Sequence, residues 1–536
     1  MRQGRLAGLS LTGGGASAPP LIVVVPAMLV GGAMLVPLLY LFIRAFAAEP
    51  ARIVELVWRW RTLELLLNTA WLTLGVIVLT TLIALPLAWL VTRTDLKASR
   101  LVTILATMPL AVPGYVMAFA LLSLAGHSGF MNQMFGVRLP RPEGLTGATL
   151  ALGLYTFPYL FLNLRAALAG MDPGLDESAR MLGCSRLEAF RRVTLPHLRP
   201  ALFAGWLVIG LYVIGDFGAV ALMRYEAFSY VIYTQYAAAY DRVYAAWLAL
   251  ILVAIALVFV LLEGWVRERG RYARTAYGAA RQHTPLPLGR WAFVAWPFIA
   301  LVVLASLGLP LLILGFWISL APVVPALPDL LTSFWHSLSA ALPAALVAVV
   351  LALPVAVLAV RFPSPLARFV DRVAYIGYAV PPLAFALAMV FLALQSLPWL
   401  YQTMALLVVA YALNFLPLAL GPLRSTLYQI PKATEDAART LGYAPFRVFW
   451  HIILPLTRRG SVVALVMVFV IAMKELPIAF LLAPTGFRSL AIVMFGRTSE
   501  GFLIQAAPYA LLIVLLSSAV VWLVFRQERS DQAAGF

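Results

Sequence analysis

Twelve apolar runs, each long enough to cross a lipid bilayer as a helix, dominate this sequence. They lie near residues 20–47, 65–92, 101–124, 146–169, 200–223, 243–264, 291–319, 337–360, 373–396, 400–423, 460–483 and 504–525. About 20 apolar residues suffice for a helix to span the hydrocarbon core. With 63% hydrophobic and 11% charged residues, the chain is far outside the balance of soluble globular proteins. The expected fold is an all-α polytopic membrane protein, with the lipid bilayer as its main partner. Cys184 is the sole cysteine, so no intrachain disulfide is possible. The first run exceeds the core of a signal peptide and is expected to remain as an anchor.

The net charge of +17 could indicate nucleic acid, anionic lipid or membrane topology. Basic residues here flank apolar runs instead of clustering around aromatics, which argues against nucleic acid as a partner. With the N-terminus placed in the cytoplasm, basic residues on that side outnumber those outside about threefold. Arg93, Lys97 and Arg100 contribute to this bias, as do Arg361, Arg368 and Arg372. Twelve crossings return the C-terminus to the same side, as expected for a multi-pass protein of the bacterial inner membrane.

The chain also repeats itself. Asp176-Glu177-Ser178-Ala179-Arg180-Met181-Leu182-Gly183 aligns with Glu435-Asp436-Ala437-Ala438-Arg439-Thr440-Leu441-Gly442 at an offset of 259. Upstream, Ala111-Val112-Pro113 meets Ala379-Val380-Pro381 and Arg93 meets Arg361, now at an offset of 268. The difference falls in one loop, where length changes cost little. The expected organisation is a tail at 1–19, a first half at 20–264 (core repeat from about 64), a basic linker at 265–290, a second half at 291–526 (core repeat from about 332) and a tail at 527–536. Two six-span halves of the same orientation imply an axis along the membrane normal, with a pathway on it.

The repeated segment reads as a helix, a glycine turn and a short transverse helix. Asp172-Pro173 supplies an N-cap and a first-turn proline, Gly183 a stop, and Ser185-Arg186-Leu187-Glu188 a capping box. Leu187 and Phe190 share one face, and Pro196 is expected to mark the exit. The second copy uses Pro431, Gly442, Pro445 and Pro455, and projects Phe446, Phe449 and Trp450. Such an element could rest on the membrane surface, but its recurrence in register favours docking onto a protein.

Charges inside two runs are the other candidates. Asp216 in the fifth and Glu475 in the eleventh are again 259 apart, with Lys474 beside the latter. A carboxylate within lipid is costly unless it faces water or a partner, so both are expected to line the pathway and transiently attract a metal cation. The competing reading is a structural ion pair with Lys474. An ion-coupled secondary carrier using Asp216 and Glu475 as relays is a further alternative. Only Lys97, Lys432 and Lys474 are lysines and none follows a glycine, so no phosphate-binding loop is present. The five histidines lack metal-ligand spacing, and no catalytic residue is assigned.

The motif Glu177-Ser178-Ala179, Gly183, Val193-Thr194-Leu195-Pro196, repeated as Asp436-Ala437-Ala438, Gly442, Ile452-Ile453-Leu454-Pro455, resembles the signature of the permeases of binding-protein-dependent ABC importers. The departures from it are Ser178, Val193 and Asp436. The resemblance implies a type I importer fold of two fused halves. It implies coupling loops, comprising Glu177, Ala179, Gly183, Leu187, Phe190 and Pro196 with Asp436, Ala438, Gly442, Phe446, Phe449 and Pro455, that dock on two copies of a cytoplasmic ATPase. ATP and Mg would be bound there, with no cofactor on this chain. Gly215-Asp216-Phe217-Gly218-Ala219-Val220 and Lys474-Glu475-Leu476-Pro477 further resemble the ferric-iron permeases of this superfamily. That implies a periplasmic binding protein delivering Fe³⁺, although permeases for thiamine, sulfate, polyamines and phosphonates share the architecture.

Overall fold

A computed structural model describes residues 19–237, 241–271, 285–321 and 323–533. Among them no strand occurs, and an isolated bridge joins Thr94 to Leu286. Seven helices are long and apolar enough to cross a membrane, and the number rises to ten when each sharply bent pair counts as one span. The shorter apolar helices Pro382–Ser396 and Leu503–Ala519 occupy the places of the ninth and twelfth runs. All twelve runs therefore contain helix, but several are not straight.

The bends have local causes. Ser99–Ala111 and Gly114–Leu124 meet at 93°. Val112 is extended ahead of Pro113, which has no N–H to continue a ladder. Met404–Asn414 and Leu416–Gln429 meet at 52° just before Pro417.

Each half is built on three packed elements. In the first, Trp60–Arg93 lies along Gly144–Ala169, and Leu195–Gly215 packs on both. In the second, Val323–Arg361, Leu416–Gln429 and Arg458–Met473 pack in the same way. Gly460 permits the last contact, since a Cβ there would lie 2.9 Å from the Pro422 carbonyl oxygen.

The halves exchange their first helices. Leu21–Ala45 packs against Pro382–Ser396, Val323–Arg361 and Pro365–Ala374, all from the second half. Met34 is fully buried and reaches Gly377, and Tyr40 hydrogen-bonds Ser396. Reciprocally, Leu309–Leu320 packs against Gly114–Leu124 of the first half. Each first helix also packs on its own half, Leu21–Ala45 on Arg242–Arg271 and Leu309–Leu320 on Leu503–Ala533, so it bridges the two halves.

The linker is shorter than the expected 265–290, because the sixth helix runs from Arg242 to Arg271. Residues 272–284 lie outside the described residues. The chain then docks on the end of Trp60–Arg93: Leu286 N–H donates to Arg93 O at 2.8 Å, Asp95 N–H to Leu286 O at 3.1 Å, and Leu288 N–H to the Asp95 carboxylate at 2.8 Å. Of the expected tails, residues 1–18 and 534–536 lie outside the described residues, while the last helix continues through 527–533.

The exchange can be tested by cross-linking. A Cβ at Gly31 would lie 3.9 Å from Val373 Cγ1, whereas one at Gly32 would meet nothing within 4 Å. In a Cys184→Ser background, with the chain expressed as two pieces split in 272–284, Gly31→Cys with Val373→Cys should cross-link the pieces. Gly32→Cys with Val373→Cys should not, as read on a denaturing gel.

Candidate functional site

Two sets of residues converge, one at the centre of the bundle and one at the repeated loops. The central set is organised by interrupted helices. Leu195–Gly215 stops at Asp216 and the chain resumes as Gly218–Leu222; Arg458–Met473 stops at Lys474 and resumes as Pro477–Leu482. The fifth and eleventh runs therefore do not continue to 223 and 483 as unbroken spans. A new helix start leaves amide groups without intrahelical acceptors. Asp216 Oδ1 accepts from Ala219 N–H at 2.9 Å and Val220 N–H at 3.4 Å. Glu475 accepts from Ile478 N–H at 3.0 Å and Ala479 N–H at 3.2 Å, and Tyr411 hydrogen-bonds it from the side. Both carboxylates cap the helix that follows them, a role the sequence reading did not anticipate.

Both also line one cavity of about 220 Å³, together with Pro113, Tyr115, Pro381 and Lys474. Its walls come from both halves. Tyr115 O–H donates to Lys474 O at 3.0 Å, and Lys474 Nζ donates to Leu110 O at 3.4 Å. Among the described contacts, Lys474 is thus held by a carbonyl and not by either carboxylate. Asp216 approaches closely because its neighbour is Gly114, where a Cβ would stand 3.0 Å from Asp216 Oδ2.

Four rings from both halves cluster on the wall of a second cavity. Phe217 stands 5.2 Å from Tyr233, 6.1 Å from Phe480 and 5.6 Å from Phe495, and Tyr233 and Phe480 are 5.3 Å apart. Phe217 lines the central cavity and also a second cavity of about 460 Å³, which Arg141, Glu143, Arg224 and Glu500 edge with charge. No grouping of three or more His, Cys, Asp or Glu suited to a metal occurs among the described residues. Asp216 and Glu475 together supply two carboxylates and no further ligand of those kinds.

The repeated loops form as their punctuation suggests. Asp172 accepts from Gly174 N–H at 2.9 Å and starts the helix Pro173–Met181. It ends in a Schellman pair, Cys184 N–H to Ala179 O at 3.1 Å and Gly183 N–H to Arg180 O at 3.0 Å. Lys432–Thr440 ends identically through Tyr443 to Ala438 O and Gly442 to Arg439 O. Gly183 and Gly442 have φ of +89° and +83° with open space around them, so the backbone angle alone demands glycine. The capping box is present: Ser185 N–H donates to Glu188 at 2.9 Å and Glu188 N–H to Ser185 Oγ at 3.3 Å. These bonds from Ser185 hold the Glu188 carboxyl below its usual pKa.

Ala179 and Ala438 are buried beneath the loops, while Asp436 and Phe446 are exposed and Phe190 and Phe449 are half-buried. Phe190 packs edge-on against Trp89 at 5.1 Å. The backbones of Glu177 and Leu187 are helical, but their side chains lie outside the described residues. Pro196 does not mark an exit as expected: Phe190–Gly215 is one 26-residue span, in which a wide π turn at Phe190–Thr194 precedes the proline. Pro455 does mark one, since Phe446–Leu456 and Arg458–Met473 meet at 66°. The sequence reading missed Met181, Leu182 and Leu441, which are 89%, 84% and 77% exposed. Their signal was apolar character directly before each stop glycine.

Paired apolar loops at fixed spacing, joined by broken helices to a shared cavity, define a transport subunit. The chain belongs to the family of binding-protein-dependent transport system inner membrane components, which it matches twice, at residues 84–269 and 348–530. It is 30% identical over 515 residues to the Fe(3+)-transport system permease protein FbpB 2 of Haemophilus influenzae, covering 94% of this chain and 98% of that one. It is 21% identical over 521 residues to the ferric transport system permease protein FbpB of Actinobacillus pleuropneumoniae, covering 89% and 73%. The molybdenum transport system permease protein ModB of Escherichia coli is 30% identical over 216 residues, covering 37% of this chain and 93% of its own. The chain is therefore a multi-pass membrane protein with two permease halves in type I arrangement.

Two substitutions at one position separate capping from charge. Asp216→Asn keeps an acceptor for Ala219 N–H and should leave thermal stability in detergent within a few degrees of the original. Asp216→Ala removes the cap and should cost about 0.5–2 kcal/mol, read as a clear fall in melting temperature.

Proposed function

We propose that this chain is the permease of an ATP-driven importer for ferric iron, in which the repeated loops dock on two copies of a cytoplasmic ATPase and a periplasmic binding protein delivers the ion. The observation that carries the reading is the match to a Fe(3+)-transport permease over almost the whole of both chains, linker region included. The molybdenum permease named above accounts for 37% of this chain. The exposed Met181, Leu182, Leu441 and Phe446 support a protein partner at the loops, since water gains nothing from such a display.

In this reading the loop end faces the cytoplasm, as the positive bias requires, with both termini on that side. ATP and Mg are bound by the partner, and hydrolysis happens there. Closure of the ATPases moves the two loops together, and the spans that continue from them carry the motion to the capped breaks at Asp216 and Glu475. The rings of Phe217, Tyr233, Phe480 and Phe495 shut the pathway between the two cavities. Fe³⁺, a hard cation, prefers oxygen ligands, and Asp216 and Glu475 offer them transiently beyond the ring cluster. Lys474 opposes a cation lingering there.

Co-purification supplies the first test: the tagged chain should retain an ATPase subunit, and its vesicles should take up ferric iron only with ATP and the binding protein. Gly183→Asp and Gly442→Asp each force a side chain into a left-handed backbone at about 1–2 kcal/mol. Each should abolish uptake while the protein still reaches the membrane. Asp216→Asn and Glu475→Gln should each lower iron uptake at least tenfold with the ATPase still bound. Wild-type uptake in both would remove the carboxylates from the pathway and leave them as caps.

A further inference from the structure

The second repeated loop is fastened to a neighbouring span by a buried ion pair that neither the repeat motif nor the family match assigns. Arg361 is the last residue of the 39-residue helix Val323–Arg361. Its Nε donates to Glu435 Oε1 at 2.5 Å and its Nη2 to Ile430 O at 3.0 Å. The two side chains are 7% and 3% exposed. Ile430 is the residue on which Leu416–Gln429 ends, and Glu435 lies in the first turn of Lys432–Thr440. One guanidinium therefore ties together the ends of two spans and the start of the loop helix.

Three features set this pair apart from ordinary surface charges. It is desolvated, so removing one partner strands the other in a place where water cannot compensate. It is two-pronged, with both donors fixed in one guanidinium plane, where an ammonium would hold them on a flexible stem. It sits on the buried face of the loop helix, beside Ala438, while the next residue, Asp436, is exposed on the other. The loop thus has an outward acid available to a partner and an inward acid committed to the span.

We propose that Glu435 and Arg361 are positioning residues that make the loop helix and the span Val323–Arg361 move as one body, so that loop displacement reaches the pathway. The span they join to the loop packs on Arg458–Met473, the helix that ends at Lys474. Displacement of the loop thereby acts on the broken helix from two sides, through the chain and through this neighbour. In the first half Arg93 is likewise buried at the end of its span, and Asp176 stands at the position of Glu435. The side chain of Asp176 lies outside the described residues, so the proposal is made for the second half.

This rests on the loops being ATPase-docking elements, and the test separates the two claims. The complete transporter is reconstituted with its ATPase and binding protein, and ferric ions moved per ATP hydrolysed are measured alongside the amount of ATPase retained. Glu435→Gln should lower that ratio at least tenfold with ATPase still bound. Arg361→Gln should lower it as far, and combining Arg361→Gln with Glu435→Gln should lower it little further than either alone, because each removes the same tie. Should Glu435→Gln fail to assemble, Glu435→Asp and Arg361→Lys, which keep the charges but break the geometry, should each lower the ratio about threefold or more. A merely structural role would reduce uptake and hydrolysis in proportion and leave the ratio unchanged, and that result overturns the proposal. If the unaltered chain binds no ATPase, the docking reading itself fails.

Discussion

A helix broken inside an apolar bundle exposes amide groups that lipid cannot satisfy, and this chain breaks two of its helices at its central cavity. Asp216 and Glu475 resolve the conflict by accepting the freed N–H groups of Ala219, Val220, Ile478 and Ala479. The central cavity, the placement of Tyr115 against the Lys474 carbonyl and the ring cluster at Phe217 all depend on those interruptions holding their shape. A carboxylate can do this and still face the cavity, because capping occupies part of its lone-pair capacity.

The two halves are copies that have diverged in mechanical detail. Both loops pass through a π turn, at Phe190–Thr194 and Phe449–Ile453, but the first continues into the span Phe190–Gly215 while the second meets its span at 66°. Trp89 packs on Phe190 beneath the first loop, and the Arg361–Glu435 pair lies beneath the second.

Much of this was legible in the sequence, for reasons that show where such reading stops. Apolar run length gave the helices, and a constant offset gave the repeat, because both are properties of the chain itself. The loop motif is local too: an N-cap, a capping box and a glycine at positive φ each act within a few residues. Bends were legible only in hindsight, since Pro113 breaks a helix by 93° while Pro158 sits inside one. Asp216 and Glu475 stood out as charges in apolar runs, but their capping role needs the break to be known first. Glu435 was passed over for Asp436 because the motif aligns on the latter, and burial alone distinguishes them. The exchange of first helices had no signal, since an apolar stripe does not name its partner.

That exchange has a consequence for how the protein is made. Leu21–Ala45 is made well before Pro382–Ser396, part of the surface it covers. At about 5–20 residues per second, Leu21–Ala45 waits on the order of tens of seconds for that part of its surroundings to exist. Until then Arg242–Arg271 of its own half covers only part of it, and lipid must cover the rest. A product truncated after the first half therefore leaves lipid on the face of this helix that Pro382–Ser396 would cover.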